Sequence, residues 1–533
     1  MDNNRTIIAV VLVVLLWSGY SLFFSPKTPP PAATSAEKVA TEQQPAVQEK
    51  SKTGPSIDSL GLDTPSSAEK KGSILHVSSD YYDIQISSVG ATIRSIVLKK
   101  YKKTNAVDSP PFHLLDSQGF PLSTLKTAGS DGLYLPSNLN YKIIDNKSSV
   151  DVKNKNVTVS FVATINNLTV VKNYTFHPSS YSFDLDVQLL NSGEKPLTGK
   201  LNLALVSPWD KDAKSRMYTF VGPVTFNGEE LEEDKPAGLE QSPKIYKNNV
   251  VWSGYMSKYF LNVVSPEVPP EQLFIGAGNG FVENRFTSTG INLTKDQKTS
   301  FLYTAYFGPK QDEFLSASGH QFEKAIDYGF FHPLSKPLMV VLKFFYSFIG
   351  NYGISIILLT ICIKLIFWPL TQKSYKSMQG MQKLQPEMKK MREKYGKDKQ
   401  KLNQEMMAFY KENKVNPLGG CLPMVIQIPV FFALYRVLLG SIELRHAPFM
   451  FWITDLAAKD PYYVTPLIMG VTMFLQQKMT PTNMDPTQAK IMLMMPVVFT
   501  FMFLNFPAGL VLYWLTNNLL TILQQYLIKR QSA

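Results

Sequence analysis

Five long apolar segments crowd the last third of the chain, at roughly Tyr352–Leu370, Leu418–Leu439, Tyr462–Gln477, Lys490–Phe506 and Ala508–Ile528. Each is close to the ~20 residues a helix needs to cross a bilayer. A sixth apolar run, Thr6 to Phe24, follows Arg5 at the N-terminus. The mean hydropathy of the whole chain is near neutral. That average describes neither part, because the stretch between these two ends reads as soluble.

The net charge is +12. Its placement points to membrane topology rather than to nucleic acid. The densest basic run, Lys373 to Lys414, lies between the first two segments of the last third. Lys478 and Lys490 flank a second loop, Lys529-Arg530 end the chain and Arg5 begins it. Six crossings put all four places on one side, the cytoplasm. The outward loops carry mainly Arg445 and Lys459. Both termini are then cytoplasmic. No zinc-ligand spacing, RNA-binding signature or helix-turn-helix pattern occurs, so no direct nucleic-acid recognition is expected.

The two cysteines, Cys362 and Cys421, fall in or beside apolar segments, so no disulfide framework supports the soluble region. The length of the N-terminal run and the bulky Leu22, Phe23 and Phe24 favour an uncleaved signal anchor (1–24) over a cleaved signal peptide. Residues 25–73 are rich in Pro, Ala, Ser, Thr, Glu, Lys and Gln, the composition of a disordered tether.

Residues 74–310 carry period-two runs such as Val157-Thr158-Val159-Ser160-Phe161-Val162 and Phe183-Asp184-Leu185-Asp186-Val187. Alternation of this kind puts one face on a core and the other in water. The expected structure is a periplasmic all-β, antiparallel sandwich. His76, His113, His177 and His320 lack ligand spacing, and no catalytic constellation stands out. Residues 311–350 turn helical. Pro337 to Phe348 is too short to span and mixes apolar residues with Lys336 and Lys343. It fits an interfacial amphipathic helix better than the start of the next span. The fold class is therefore mixed, a polytopic α-helical membrane bundle with one signal-anchor helix and a five-helix core (351–530), plus the β-sandwich.

A cytoplasmic helical hairpin is expected over 374–415. Met381, Leu384, Met388, Met391 and Tyr395 repeat at spacings of three and four, with Pro386 kinking or restarting the first arm. Leu402, Met406 and Phe409 repeat likewise on the second arm. Two readings stay open: a packed pair with a solvated basic face, or an adaptable surface for a partner or nascent chain. The second would use Met381, Met388, Met391, Lys389, Lys390 and Arg392.

Lys364 carries the sharpest inference. It lies inside an apolar span, nine positions before Lys373, and the last five spans contain no Asp or Glu to neutralise it. A charge at mid-membrane costs at least about 2.5 kcal/mol. The side chain either snorkels to the cytoplasmic face or attracts an anionic group in a hydrated cavity. Gln427, Thr516, Asn517, Asn518, Thr521, Gln524 and Gln525 on other segments tilt the reading toward the cavity.

Several stretches closely resemble the YidC/Oxa family of membrane protein insertases: Asn416-Pro417-Leu418-Gly419-Gly420-Cys421, Gln427-Ile428-Pro429, Asp460-Pro461-Tyr462-Tyr463 and Phe506-Pro507-Ala508-Gly509. The resemblance implies a hydrophilic groove open to cytoplasm and lipid and closed to the periplasm. It places Lys364, Thr360, Gln427, Tyr513, Trp514 and Asn517 at that groove. The groove's positive residue is usually arginine in the family. Lysine keeps the charge and loses the planar fork. Nascent membrane proteins, the Sec translocon, ribosome–nascent-chain complexes and membrane lipids are the implied partners, and the sandwich resembles a galactose-mutarotase-like fold. No nucleotide loop or cofactor motif is visible, so no cofactor, metal or bond-changing chemistry is expected. The rival readings are a transporter with a periplasmic ligand-binding domain, and a membrane-anchored sugar-processing enzyme with paired carboxylates.

Overall fold

The computed structural model describes residues 72–116, 123–209, 219–247, 249–395, 398–413, 422–480 and 486–532. The signal anchor and nearly all of the tether lie outside the described residues, as does Asn416 to Cys421.

Alternation in the sequence becomes alternation of burial. Leu168–Phe176 and Ser182–Asn191 pair antiparallel, and every second side chain of each points into the core. The strands belong to a nine-stranded sheet. From edge to edge its order is Leu231–Glu233, Gly222–Phe226, Trp252–Met256, Phe260–Pro266, Lys298–Pro309, Ser182–Asn191, Leu168–Phe176, Val157–Ile165 and Lys142–Ile143. A second sheet is built on Leu197–Pro208, which pairs with Phe281–Thr287, Lys126–Ser130 and Ile291–Leu293. A five-stranded sheet completes the domain. It departs from the antiparallel expectation at one edge, where Ser149–Val152 runs parallel to Ile74–Ser79. The long excursion between these strands brings the chain back in the same direction, which no hairpin could do.

Aromatic side chains fill the space between the sheets. Tyr174, Phe176, Phe183 and Trp252 are fully buried. Phe176 and Phe183 lie 5.2 Å apart between ring centroids, and Phe226 stacks on Trp252 at 5.6 Å. Strands approach closely where glycine allows it. A Cβ on Gly254 would lie 1.9 Å from the Asn262 carbonyl oxygen. The helical turns after the last long strand also join this core, with Leu315, Phe322 and Ala325 all buried in it.

Among the described residues eight longer helices follow: α1 (His332–Ile349), α2 (Tyr352–Lys383), α3 (Gln385–Tyr395), α4 (Lys399–Glu412), α5 (Leu422–Gly440), α6 (Val464–Met479), α7 (Pro486–Phe503) and α8 (Ala508–Ser532). Helix α1 buries Ser335, Leu338, Met339 and Leu342, and Ser335 Oγ donates to the Ala433 carbonyl at 3.1 Å. Its other face exposes Val340, Phe344 and Phe348. The helix starts five residues before the expected Pro337, with Pro333 in its first turn, where proline is tolerated, and Pro337 inside it.

Helix α2 has 32 residues, about 48 Å at the ~1.5 Å helical rise. Asn351 caps it by accepting the Ile354 N–H at 3.1 Å. The apolar run stops near Leu370, but the helix continues to Lys383 before breaking at Leu384. Among the described residues, this helix is long and apolar enough to cross a bilayer, and Val425–Gly440 and Leu493–Phe503 are shorter apolar stretches. Helices α2, α5, α6 and α8 share a core of Ile356, Leu359, Leu434, Met469 and Leu510. Helices α6 and α7 meet where a Cβ on Gly470 would come within 2.1 Å of Thr500 Oγ1. Large apolar side chains such as Ile366, Val471, Val498, Phe501 and Leu523 remain on the outside.

Candidate functional site

Helix α8 supplies one polar edge of the site. Tyr513, Asn517 and Thr521 recur every four residues, which sets them on one face over about 12 Å. Lys364 of α2 reaches this face, and its Nζ donates to Thr521 Oγ1 at 2.7 Å. The Thr521 hydroxyl in turn donates to the Asn517 carbonyl at 2.6 Å. No carboxylate pairs with Lys364 among the described residues. The ammonium is thus held by a neutral hydroxyl rather than a carboxylate, and it is only partly covered.

Gln427 and Tyr513 form a second layer. Gln427 Nε2 donates to the Tyr513 hydroxyl at 2.5 Å, joining α5 to α8. Phe431, one turn along α5, meets the Trp514 ring edge-on at 4.8 Å. The Trp514 Nε1 hydrogen is buried and has no hydrogen-bond partner among the described residues. The six expected residues are therefore not equivalent. Lys364 meets Thr521, whose hydroxyl bonds only the backbone carbonyl of Asn517 one turn back in α8, and Gln427 meets Tyr513. Thr360 lies one turn from Lys364, but it is buried and its hydroxyl donates to the Ile356 carbonyl of its own helix at 2.6 Å.

A third polar group lies farther along α8. Gln525 Nε2 donates to the Tyr375 hydroxyl of α2 and to Thr480 Oγ1 at 3.0 Å. Gln524 Nε2 lies 3.5 Å from the Trp368 carbonyl. Sequence reasoning had marked Thr521, Gln524 and Gln525 as polar residues on a span. It assigned no partner to Lys364 and missed Tyr375, whose aromatic ring gives no polar signal in a basic loop.

In the hairpin, α3 and α4 pack together. Met388 is buried, and the Tyr410 hydroxyl approaches its sulfur at 3.8 Å. Met388 therefore belongs to the seam between the arms. Met381 sits in the last turn of α2 and is half-buried, as is Met391. Lys389 and Lys390 are exposed, and the Arg392 side chain lies outside the described set. Asp398 caps α4 by accepting the Gln400 and Lys401 N–H groups at 3.1 and 3.0 Å.

Residues 344–533 match the family model described as 60Kd inner membrane protein, and residues 74–341 match the model of the YidC periplasmic domain. The membrane protein insertase YidC of Geotalea daltonii is 43% identical over 99% of this chain and 99% of its own length. The chain belongs to the YidC family of membrane protein insertases. The YidC insertase of Geobacter sulfurreducens is likewise 43% identical, over 99% of this chain and 98% of that one. A crystal structure of an active YidC insertase is 18% identical over 86% of this chain and 94% of that one, with a TM-score of 0.37. A galactose mutarotase-like protein from Lactobacillus casei covers 44% of this chain at 9% identity, with a TM-score of 0.31. Neither superposition is close enough to transfer geometry. As a YidC-family insertase, the chain is an inner-membrane protein whose β-domain is periplasmic.

Proposed function

We propose that a polar or acidic tail of a nascent membrane protein is drawn from the cytoplasm toward Lys364, between α2, α5 and α8. The observation that carries this reading is the Lys364 ammonium, paired only with the Thr521 hydroxyl among the described residues. An uncompensated cation in an apolar bundle is costly and leaves its charge available to a carboxylate. The layer of Gln427, Tyr513 and Trp514 continues the polar path, and Thr360 shapes the wall beside it. Shortening the low-dielectric path lets the substrate's apolar helix then move along the bundle into lipid, driven by burial of apolar surface. No bond is made or broken and no cofactor takes part.

In this reading α2, α5, α6, α7 and α8 form the membrane core, the N-terminal apolar run adds a sixth span, and both termini are cytoplasmic. The four basic places then share one side. The outward apolar residues of the helices meet lipid, and α1 lies at the membrane surface with Phe344 and Phe348 toward the acyl chains. The hairpin of α3 and α4 presents Lys389, Lys390 and its half-buried methionines to ribosome–nascent-chain complexes, and insertion proceeds alone or beside the Sec translocon. The test is depletion of the protein, followed by the integration of a small single-span substrate with an acidic N-tail. Integration should stall, and undiminished integration would contradict the proposal.

A further inference from the structure

All five core helices have one end at the loop 441–463: the C-terminal ends of α5 and α7 and the N-terminal ends of α2, α6 and α8. The loop closes over this end and holds itself there with backbone bonds. Ala508 N donates to the Ala458 carbonyl at 2.7 Å, and Gly509 N to the Leu456 carbonyl at 2.9 Å. These are two of the donors that a helix N-terminus cannot satisfy internally. At α2, Asn351 Nδ2 donates to the Phe449 carbonyl at 3.0 Å. Phe449 packs so closely on Gly353 that a Cβ there would lie 2.0 Å from its ring. Leu444, Ile453 and Leu456 are buried in the helical core. Apart from one short turn, Ile442–Leu444, the loop has no regular structure of its own.

The periplasmic sandwich grips the same loop from outside. Arg445 Nη2 donates to the Lys102 carbonyl at 2.6 Å and to the Lys103 carbonyl at 3.2 Å. Its guanidinium carbon lies 5.4 to 5.9 Å from the ring centres of Phe112, Tyr259 and Phe260, within cation–π range. Asn105 Nδ2 donates to the Thr454 carbonyl at 2.7 Å, nine positions further along the loop than Arg445. Ile442 inserts into the hydrophobic core of the sandwich itself. Lys343 of α1 ties the two halves again, bonding Glu313 at 2.8 Å and Glu443 at 2.7 Å.

We infer that loop 441–463 is a plug over the outward end of the helices and that the sandwich is its latch, with Arg445 and Asn105 as the catch. The inference rests on the membrane placement proposed above. The latch keeps the bundle tight to ions while the inward side takes up substrate. It predicts separate roles: the catch governs leak, and Lys364 governs insertion.

The full chain is reconstituted in potassium-loaded liposomes, a diffusion potential is imposed, and its decay is followed with a voltage-sensitive dye. Arg445→Ala with Asn105→Ala removes three hydrogen bonds of the catch and should raise the unplugged population, and the decay rate, about ten-fold or more. A second variant guards against misfolding. In a Cys362→Ala, Cys421→Ala background carrying Arg445→Ala, a short thiol cross-link between Asn105→Cys and Thr454→Cys should return the decay to the wild-type rate. A wild-type rate in the uncross-linked double variant would overturn the latch, as would a raised leak that the cross-link fails to lower. Integration of a single-span substrate into the same vesicles separates the two proposals. It should stay within about two-fold of wild type in the catch variants. Its absence with the wild-type chain strikes the insertion reading alone, whereas an unchanged decay rate in the catch variants strikes only the latch.

Discussion

Lys172 is a lysine closed off from the protein surface. It lies on the strand Leu168–Phe176 and is fully buried. Its Nζ donates to the Leu125 carbonyl at 2.9 Å and to the Gly90 carbonyl at 3.1 Å. Tyr174, two residues along, donates to the Ala91 carbonyl at 2.7 Å. All three acceptor residues, Gly90, Ala91 and Leu125, have positive φ (69°, 44° and 59°), so the two side chains hold strained turns against the sheet. Burial lowers the Lys172 pKa from 10.5 to about 7. Between pH 7 and 10.5 the unfolded chain therefore carries a proton that the folded chain does not. The Lys172 contribution to stability then rises with pH across that window, by at most ~1.4 kcal/mol per pH unit and up to about 5 kcal/mol in total. Below pH 7 both states are protonated and this contribution is flat. Lys172→Met keeps the apolar stem, loses both hydrogen bonds and removes the titration. At pH 10 the variant should be the less stable, by about 1–3 kcal/mol for two unpaired carbonyls. As pH falls toward 7 the difference should shift steadily in favour of the variant. Urea pulse proteolysis of the detergent-solubilised full chain, reading cleavage within the β-domain from pH 6 to 10, measures both curves. Parallel curves for the two proteins would refute the reasoning.

Three further outcomes follow from the packing. Gly254→Ala forces a Cβ into the Asn262 carbonyl and should cost the sandwich more than about 3 kcal/mol, measured by the same proteolysis. Leu185→Ala empties a fully buried site and should cost about 2–5 kcal/mol, with the helical half unaffected by circular dichroism. Asp398→Ala removes the cap of α4 and should destabilise the hairpin by about 0.5–2 kcal/mol, seen as faster hydrogen exchange confined to 399–412.

What the sequence revealed depended on the range of the signal. Period-two runs such as Phe183-Asp184-Leu185-Asp186-Val187 were legible because burial on a strand repeats locally. The parallel pairing of Ile74–Ser79 with Ser149–Val152 joins strands some seventy residues apart and has no local mark. Hydropathy placed the start of α2 at Tyr352 but ended it near Leu370, because hydropathy reports lipid contact and the helix runs on to Lys383. The unusual charge of Lys364 was visible at once. Its partner, Thr521, lies 157 positions away, and only packing could name it. Met388 carries two readings in the sequence, packed seam or partner surface, because a heptad pattern does not say which face a partner helix covers; it is buried against the other arm. Arg445 read as a stray charge in an outward loop, because the carbonyls that hold it belong to another domain.

The central claim is that the Lys364 charge draws an acidic tail inward. An ammonium and a carboxylate ~4 Å apart attract by about 4 kcal/mol at an effective dielectric near 20, and partial hydration leaves roughly 1–2 kcal/mol, near ten-fold in rate. The decisive measurement is the initial rate of integration, into vesicles carrying Lys364→Ala, Lys364→Glu or Lys364→Arg, of two single-span substrates that differ only in an acidic or a neutral polar N-tail. The account predicts that Lys364→Ala slows the acidic substrate about ten-fold and the neutral one little, that Lys364→Glu slows the acidic substrate further, and that Lys364→Arg behaves as wild type. Full activity of Lys364→Glu on the acidic substrate, or equal losses for both tails, would contradict it.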